Sequence, residues 1–427
     1  MVFFKDMSMQ MSGVTRHAIE HFWQGRNEFP AVRAGRPAPF SNGLMNRPKP
    51  LFAREQILEF ALGRPSKAFG DRYAEFDAQR RIARLPAPPF SFMDRVTSIE
   101  PKPWVLKSGG WIEAQYDVPA EGWYFAADRS GVMPFCVLLE IALQPCGWLA
   151  AYAGSALRSQ KDLKFRNLGG RATLHQNLIP GAQTLTMRTR IDRVSEAADM
   201  IIENFEFEVL GQQGPVYTGT TYFGFFTDRT LAQQVGLREA IHLHPGDGFS
   251  GGPDHLPDEA PFQPDDVPPS HRFYNEGLRM PARALRMIDA IECFDPQGGP
   301  HGLGYIRGHK RIDPSEWFFK AHFYQDPVCP GSLGIESFLQ LLKYAALQLW
   351  TDSRDTHGFE MLCGQTHEWQ YRGQVIPSNH TVIVEAVVTQ KEAGSQPVIM
   401  ADGWLQVDGL YIYKMNGFGL KLVNLNR

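Results

Sequence analysis

The stretch GVMPFCVLLEIALQPCGWLAAYAG, residues 131–154, is apolar along almost its whole length and carries a single charge, Glu140. A helix that is apolar on every side is buried in a core, and an isolated carboxylate there is costly unless it is paired or takes up a proton. We therefore predict a central buried helix in which Glu140 is compensated. Either Glu140 accepts a hydrogen bond from a core polar group such as Gln144, or it is an acid whose pKa is raised by its apolar surroundings.

The unit that contains this helix occurs twice in the chain. The segment WYFAADRSGVMPFCVLLEIALQ, residues 123–144, resembles WFFKAHFYQDPVCPGSLGIESFLQ, residues 317–340. The matching pairs are Asp94 with Asp289, Pro134 with Pro330, Glu140 with Glu336, Gln144 with Gln340 and Gly224 with Gly419. Such self-similarity indicates a duplicated structural unit.

The repeat divides the chain into four parts. We expect an N-terminal extension at residues 1–50, a first unit at 51–230, a linker at 231–270 and a second unit at 271–427. The linker is rich in proline, glycine and acidic residues, a composition that does not form a packed core. The whole chain, at 427 residues, is long enough for two units that each bury a core.

Residue periodicity predicts the elements within each unit. Apolar residues at helical spacing indicate a short helix at 52–63, and strands are predicted near 90–99 and 110–118, before the long helix. After that helix, apolar and polar residues alternate, which indicates strands at 184–194, 200–210, 381–388 and 398–407. A buried helix wrapped by mostly antiparallel strands is an α+β plan. The sequence thus predicts two such units packed together.

Composition narrows the classes of function. With 43 basic and 46 acidic residues the net charge is -3, which does not favour nucleic acid or an anionic membrane. The five cysteines form no C-x-x-C pair, so no metal site is predicted and a reducing cytoplasm is expected. No phosphate-binding glycine motif is present, so no cofactor is expected. The apolar stretch contains Pro134, Glu140 and Pro145, and the chain has no second stretch that is nearly long and apolar enough to span a bilayer, which argues against a membrane span.

The two copies differ at one position with chemical consequences. The second copy has His322 shortly before Pro330, whereas the first copy has no histidine in the corresponding loop. That loop is two residues shorter, so the counterpart of His322 is Ala126 when the copies are aligned from the proline and Asp128 when they are aligned from the tryptophan. Neither alignment supplies an imidazole to the first copy.

The residues after Pro330 suggest a reaction site. Proline is favoured in the first turn of a helix, so the N–H of Gly331 would lie at the positive end of the helix dipole. His322, on the preceding loop, could act as a general base near neutral pH. If the two units pack as a pseudo-twofold dimer, His322 of one copy meets Glu140 of the other. Glu336 would then belong to a pair that lacks a base.

These residues resemble a known family. The pattern H-F-x-x-D-P-V-x-P-G-x-L-G, from His322 to Gly334, looks like that of the β-hydroxyacyl-acyl carrier protein dehydratases of the hotdog fold, in particular the hydroxydecanoyl dehydratase/isomerase type. LPAPPFSFMDRV, residues 85–96, and WQYRGQVIP, residues 369–377, look like further parts of that family. The tandem form is similar to the dehydratase domains of polyunsaturated fatty acid synthases. The resemblance implies a double hotdog, in which each unit is a long helix wrapped by an antiparallel sheet.

The resemblance also implies roles for four residues. His322 would remove the α-proton of a (3R)-3-hydroxyacyl thioester, and Glu140 would protonate the departing hydroxyl. The N–H of Gly331 would polarise the thioester carbonyl, and the backbone carbonyl of Val328 would orient the imidazole. The isomerase-type enzymes usually carry aspartate at the position of Glu140, so the resemblance favours dehydration to the trans-2-enoyl thioester and leaves double-bond isomerisation open.

The implied partners are an acyl carrier protein that holds the 3-hydroxyacyl chain and other domains of a synthase. Basic residues such as Lys161, Lys164 and Arg166 are candidates to meet an acidic carrier, although a solvated surface is the simpler interpretation. Two other functions stay open. A hotdog acyl thioesterase would use an acidic residue on the same helix to activate water, and an inactive dehydratase would only bind a carrier protein as a scaffold.

Overall fold

The computed structural model describes residues 49–181, 183–197, 200–238, 253–256 and 277–425. The predicted N-terminal extension lies outside these residues except for its last two positions. The predicted linker, 231–270, is described only at 231–238 and 253–256. The bounds of the four predicted parts therefore remain predictions, whereas the elements of both units can be described.

The long helices and most of the strands follow the same order in both halves of the chain. The helices are α1 (Arg54–Ala61), α2 (Pro65–Phe69), α3 (Trp123–Asp128), α4 (Phe135–Ala153), α5 (Asp228–Ala232), α6 (Trp317–Ala321) and α7 (Gly331–Leu349). The strands of the first half are β1 (Arg95–Glu100), β2 (Trp111–Val118), β3 (Lys164–Leu174), β4 (Gln183–Ala197), β5 (Met200–Gly211) and β6 (Gly214–Phe226). Those that follow are β7 (Asp254–His255), β8 (Ala290–Asp295), β9 (Tyr305–Arg311), β10 (His357–Met361), β11 (Thr366–Tyr371), β12 (Thr381–Glu392), β13 (Val398–Val407) and β14 (Leu410–Asn424).

All these strands belong to one antiparallel sheet whose order is β1-β2-β4-β5-β6-β3-β11-β14-β13-β12-β9-β8-β7, with β10 beside β14. Apart from β7 at one edge, the order reads the same from both edges: β1-β2-β4-β5-β6-β3 in the first unit matches β8-β9-β12-β13-β14-β11 in the second. The long helices α4 and α7 each pack against the strands of their own unit and against each other. The predicted α+β double hotdog is confirmed.

The two halves of the sheet join between β3 and β11. Residues 169–173 of β3 pair with residues 366–370 of β11. Trp369 is buried at this junction, and its indole N–H donates to the side-chain oxygen of Asn167 over 2.9 Å. A Cβ atom on Gly170 would lie 2.3 Å from the Trp369 ring, so only glycine lets the two strands approach this closely.

A pseudo-twofold axis relates the two units. Trp123 and Trp317, equivalent in the repeat, contact each other edge to face with ring centroids 5.3 Å apart. The repeated glutamines make the same contact in each unit: the amide oxygen of Gln144 accepts from the Phe92 N–H over 2.8 Å, and that of Gln340 accepts from the Met287 N–H over 2.8 Å. The repeat seen in the sequence therefore preserves individual hydrogen bonds as well as the order of elements.

The helix α4 is the core helix of the first unit. By length and composition it is apolar enough to cross a membrane, and no other helix in the described ranges is; 83% of its apolar window is buried inside the protein. The strand expected near 90–99 instead begins at Arg95. The backbone before it is hydrogen-bonded to the Gln144 side chain, which accepts from the Phe92 N–H and donates to the Phe90 carbonyl. These backbone groups of Phe90 and Phe92 are therefore not paired with a strand.

Candidate active site

His322 follows the last residue of α6, at the start of a tight turn. Its N–H donates to the Phe318 carbonyl and its carbonyl accepts from the Val328 N–H, both over 2.8 Å. Its Nδ1 atom lies 3.0 Å from the carbonyl oxygen of Val328. The hydrogen bond fixes the ring and makes Nδ1 the protonated nitrogen, so Nε2 is the atom that can accept a proton.

Glu140 lies on α4, where its carboxylate accepts two hydrogen bonds. Gln144, one turn along the same helix, donates to Oε2 over 3.1 Å. Ser332, near the start of α7 in the other unit, donates its hydroxyl to Oε1 over 2.7 Å. The bond from Gln144 is the one that the sequence suggested, and the bond from Ser332 was not anticipated. Glu140 is therefore positioned by both units.

His322 and Glu140 line one cavity at the junction of the two units. Gly331 and Val328 line it too, whereas Glu336 does not. Its remaining walls are mostly apolar and aromatic, and its polar lining includes Arg166, Asn167 and Gln374. The structure thus brings together the four residues that the sequence singled out.

The two titratable groups in this cavity are shifted in opposite directions. Burial lowers the pKa of His322 to about 3, although the hydrogen bond with Val328 opposes the shift. Burial raises the pKa of Glu140 to about 7, with the hydrogen bonds from Ser332 and Gln144 opposing it. Near neutral pH the imidazole is therefore uncharged and the carboxyl group is partly protonated. One group can accept a proton while the other can give one.

The start of α7 provides N–H groups at the cavity. The helix begins at Gly331, so Pro330 precedes the first turn instead of lying within it. The Pro330 carbonyl accepts from the N–H groups of Leu333 and Gly334, which leaves those of Gly331 and Ser332 without an intrahelical acceptor. A Cβ atom on Gly331 would lie 2.8 Å from the ring of Tyr371. Glycine is thus needed here because of a neighbouring tyrosine.

The turn that carries His322 is tied to the first unit. Arg166 on β3 donates to both carboxylate oxygens of Asp326, over 2.7 and 3.0 Å, and to the Gln374 side chain over 2.9 Å. Lys164 also contacts Asp326, at 3.0 Å. Two of the basic residues considered as carrier contacts are therefore paired inside the protein. Sequence reasoning missed their function because their partner is about 160 residues away.

The cleft around Glu336 has a different content. Lys343 lies between two carboxylates, with its Nζ atom 2.6 Å from Asp128 and 3.8 Å from Glu336. The other oxygen of Glu336 accepts from the N–H of Cys136 over 3.2 Å. Burial raises the pKa of Glu336 despite Lys343. Burial opposes the charge on Lys343, but the two carboxylates outweigh it and raise the pKa of the lysine. A buried ion pair occupies this cleft, and Asp128 stands where the other cleft has His322.

The same helical position distinguishes the two clefts. Gly147 lies seven residues after Glu140 and lines the cavity of His322. Its counterpart, seven residues after Glu336, is Lys343. This glycine-to-lysine difference is visible in the repeat but did not enter the prediction from sequence, although it shows that one cleft is open and the other is filled.

The described residues include no group of three or more histidine, cysteine, aspartate or glutamate side chains that could hold a metal ion. The five cysteines are all free. The cavity itself presents an imidazole, a carboxyl group and N–H groups at a helix start.

Fold and site together define a double hotdog protein whose cavity combines an imidazole from one unit with a carboxyl group from the other. The chain belongs to the FabA-like domain family, which it matches at residues 85–220 and 280–416, once in each unit and over more than half of its length. It is 31% identical over 388 residues to a component of the polyunsaturated fatty acid synthase of Thraustochytrium sp., a match that covers 86% of this chain. The chain spans only 26% of the length of that relative.

Solved structures with a similar fold include a protein from Lactobacillus plantarum that is assigned as an oleoyl thioesterase. Its TM-score is 0.42, with 10% identity over 74% of this chain and 97% of that one. A MaoC-like dehydratase has a TM-score of 0.38 and 10% identity over 74% of this chain and 98% of its own. These likenesses concern the fold.

Proposed function

We propose that the protein is a 3-hydroxyacyl-[acyl-carrier-protein] dehydratase, which removes water from a (3R)-3-hydroxyacyl thioester to give the trans-2-enoyl thioester. The family and the synthase relative support a dehydratase in fatty acid or polyunsaturated fatty acid synthesis. The proposed partners are an acyl carrier protein, which delivers the substrate, and other domains of a synthase. The observation that carries the proposal is that His322 and Glu140 line one cavity.

The proposed reaction uses each group in the state that its surroundings favour. Nε2 of neutral His322 accepts the α-proton, and the electron pair of that C–H bond forms the new double bond. The bond from the β-carbon to the hydroxyl oxygen breaks, and protonated Glu140 gives its proton to that oxygen, which leaves as water. The N–H of Gly331 stabilises negative charge on the thioester oxygen. Proton transfer from the imidazolium to the carboxylate restores both groups.

The test is elimination of water from a (3R)-3-hydroxyacyl thioester, which is measured by the absorbance of the enoyl product. His322→Ala and Glu140→Gln should each lose most of the activity, because each removes one of the two proton-transfer groups. Glu336→Gln is the matched control, since it makes the same change at the equivalent position of the other helix, and it should retain turnover. Equal losses for the two glutamine variants would refute the pairing of His322 with Glu140.

The same assay separates the other functions. Release of free acid from the thioester, without enoyl product, would identify a thioesterase. Binding of the carrier protein without turnover would identify a scaffold. An enoyl product that includes a shifted double bond would add isomerisation to dehydration.

A further inference from the structure

Tyr371, at the end of β11, has a buried hydroxyl that the reaction above does not use. The side chain lines the cavity of His322 and Glu140, and the residue is only 5% exposed. Its hydroxyl has no hydrogen-bond partner among the described residues. An unpartnered buried hydroxyl is costly, so its presence beside a substrate cavity points to a ligand that completes it.

The hydroxyl lies beside the start of α7. A Cβ atom built on Gly331 would be 2.8 Å from the ring carbon that carries the hydroxyl and 3.1 Å from the hydroxyl oxygen. The ring is held in this position by Tyr413, which contacts it edge to face with centroids 4.6 Å apart. The hydroxyl and the N–H of Gly331 therefore border the same corner of the cavity.

The other cleft lacks this group. The N–H of Cys329 donates to the Val375 carbonyl over 2.8 Å, and the equivalent N–H of Met133 donates to the Leu178 carbonyl over 2.7 Å. Counting back four residues from each acceptor pairs Tyr371 with Leu174, a buried residue without a polar side chain. The tyrosine hydroxyl is therefore present in the cleft that has His322 and absent from the one filled by Lys343.

We infer that the Tyr371 hydroxyl donates a hydrogen bond to the thioester carbonyl oxygen of the substrate, as a second donor beside the N–H of Gly331. This inference rests on the proposed dehydratase function and adds a residue to it. When His322 takes the α-proton, negative charge develops on that oxygen, and two fixed donors stabilise it more than one. Burial raises the pKa of Tyr371 far above its ordinary value, so the hydroxyl keeps its proton and acts as a donor only.

The test is Tyr371→Phe, which removes the hydroxyl and keeps the ring against Gly331. We expect kcat to fall roughly a hundredfold, with a smaller change in KM because the bond strengthens as charge develops. A second measurement does not need turnover. The infrared stretching frequency of the carbonyl in a bound trans-2-enoyl thioester, labelled with carbon-13, should be lowered less in the variant than in the wild-type protein.

Tyr217→Phe is the matched control, because the Tyr217 hydroxyl is also buried but is hydrogen-bonded to His367 over 2.7 Å, and Tyr217 does not line the cavity. The control should lower the unfolding temperature and keep kcat, whereas Tyr371→Phe should lower kcat without lowering the unfolding temperature, because it removes a hydroxyl that has no partner among the described residues. Wild-type kcat and carbonyl frequency in Tyr371→Phe would overturn the inference, as would a loss of stability without loss of kcat. If the wild-type protein does not eliminate water but lowers the carbonyl frequency more than Tyr371→Phe does, the dehydratase function is contradicted, whereas the hydrogen bond from Tyr371 to the carbonyl oxygen is supported.

Discussion

The hydroxyl of Ser332 on α7 donates to the carboxylate of Glu140 on α4 over 2.7 Å, so the acidic residue of the first unit is positioned by the second. His322 is bound in the reverse sense, because Arg166 of the first unit holds Asp326 in the turn that carries the histidine. Each unit thus fixes a functional group that the other supplies. A single hotdog unit of this chain would contain one of the two groups without its support.

The wild-type pH profile should have one limb near neutrality. His322 remains uncharged down to a pKa of about 3, and Glu140 is protonated below a pKa of about 7. We expect kcat/KM for dehydration to be level between about pH 5 and 6.5 and to fall roughly tenfold per pH unit above about 7. Steady-state kinetics across this range will check it, and a profile that instead rises with a pKa near 6.5 would show that His322 titrates normally.

Ser332→Ala should move that limb to higher pH. The hydroxyl stabilises the ionised form of Glu140, so its removal raises the pKa of the acid. A hydrogen bond to a charged group contributes about 1.5–3 kcal/mol, which corresponds to a shift of about one to two pH units. The measurement is the pH dependence of kcat/KM. Ser337→Ala is the control, because Ser337 donates to the Gly334 carbonyl of its own helix and should leave the profile unchanged.

Lys343→Met should destabilise the protein by about 3–5 kcal/mol, because it leaves Asp128 and Glu336 as unpaired carboxyl groups in a buried cleft. The difference in unfolding free energy between the variant and the wild-type protein should grow between about pH 5 and 8. The folded-state pKa of Glu336 is raised, so stability from this group is present at low pH and is lost as the pH rises. Denaturant unfolding at both pH values will measure it.

The control for that prediction is Lys67→Met, which breaks the exposed pair of Lys67 with Glu59. Exposed pairs contribute about 0–1 kcal/mol, so the control should unfold almost as the wild-type protein does. A similarly small effect of Lys343→Met at pH 8 would show that the ion pair in the cleft around Glu336 does not stabilise the folded protein.

Arg166→Lys should reduce kcat about tenfold while the protein stays folded, since lysine cannot form the two parallel hydrogen bonds to Asp326 and the turn of His322 loses its fixed position. Arg171→Lys makes the same change on the same strand, at a residue whose pairing with Glu368 is exposed. Steady-state kinetics of both variants decide the matter. Equal activity in the two would mean that Arg166 does not position the turn.

The sequence predicted the fold well because the repeat and the periodicity are local patterns. The apolar stretch around Glu140 indicated the core helix, and alternation indicated the long strands after it. The strand near 90–99 was predicted too early in the chain, because Gln144 takes up the backbone groups of Phe90 and Phe92 and periodicity does not register that contact. Lys343, the repeat equivalent of Gly147, could be identified from the sequence repeat alone.

Residue types and their spacing were enough to establish that the chain holds two copies of an α+β unit, that only one copy has the histidine, and that each core helix carries a buried glutamate. These features are local, so they can be read without knowing how the units pack. Three relationships required the folded protein: the shared cavity of His322 and Glu140, which the sequence predicted only on the condition that the units pack as a pseudo-twofold dimer, the support of the two groups by Ser332 and Arg166 from opposite units, and the position of the Tyr371 hydroxyl beside Gly331. They join residues far apart in the chain, and packing of the two units around the pseudo-twofold axis is what brings those residues together.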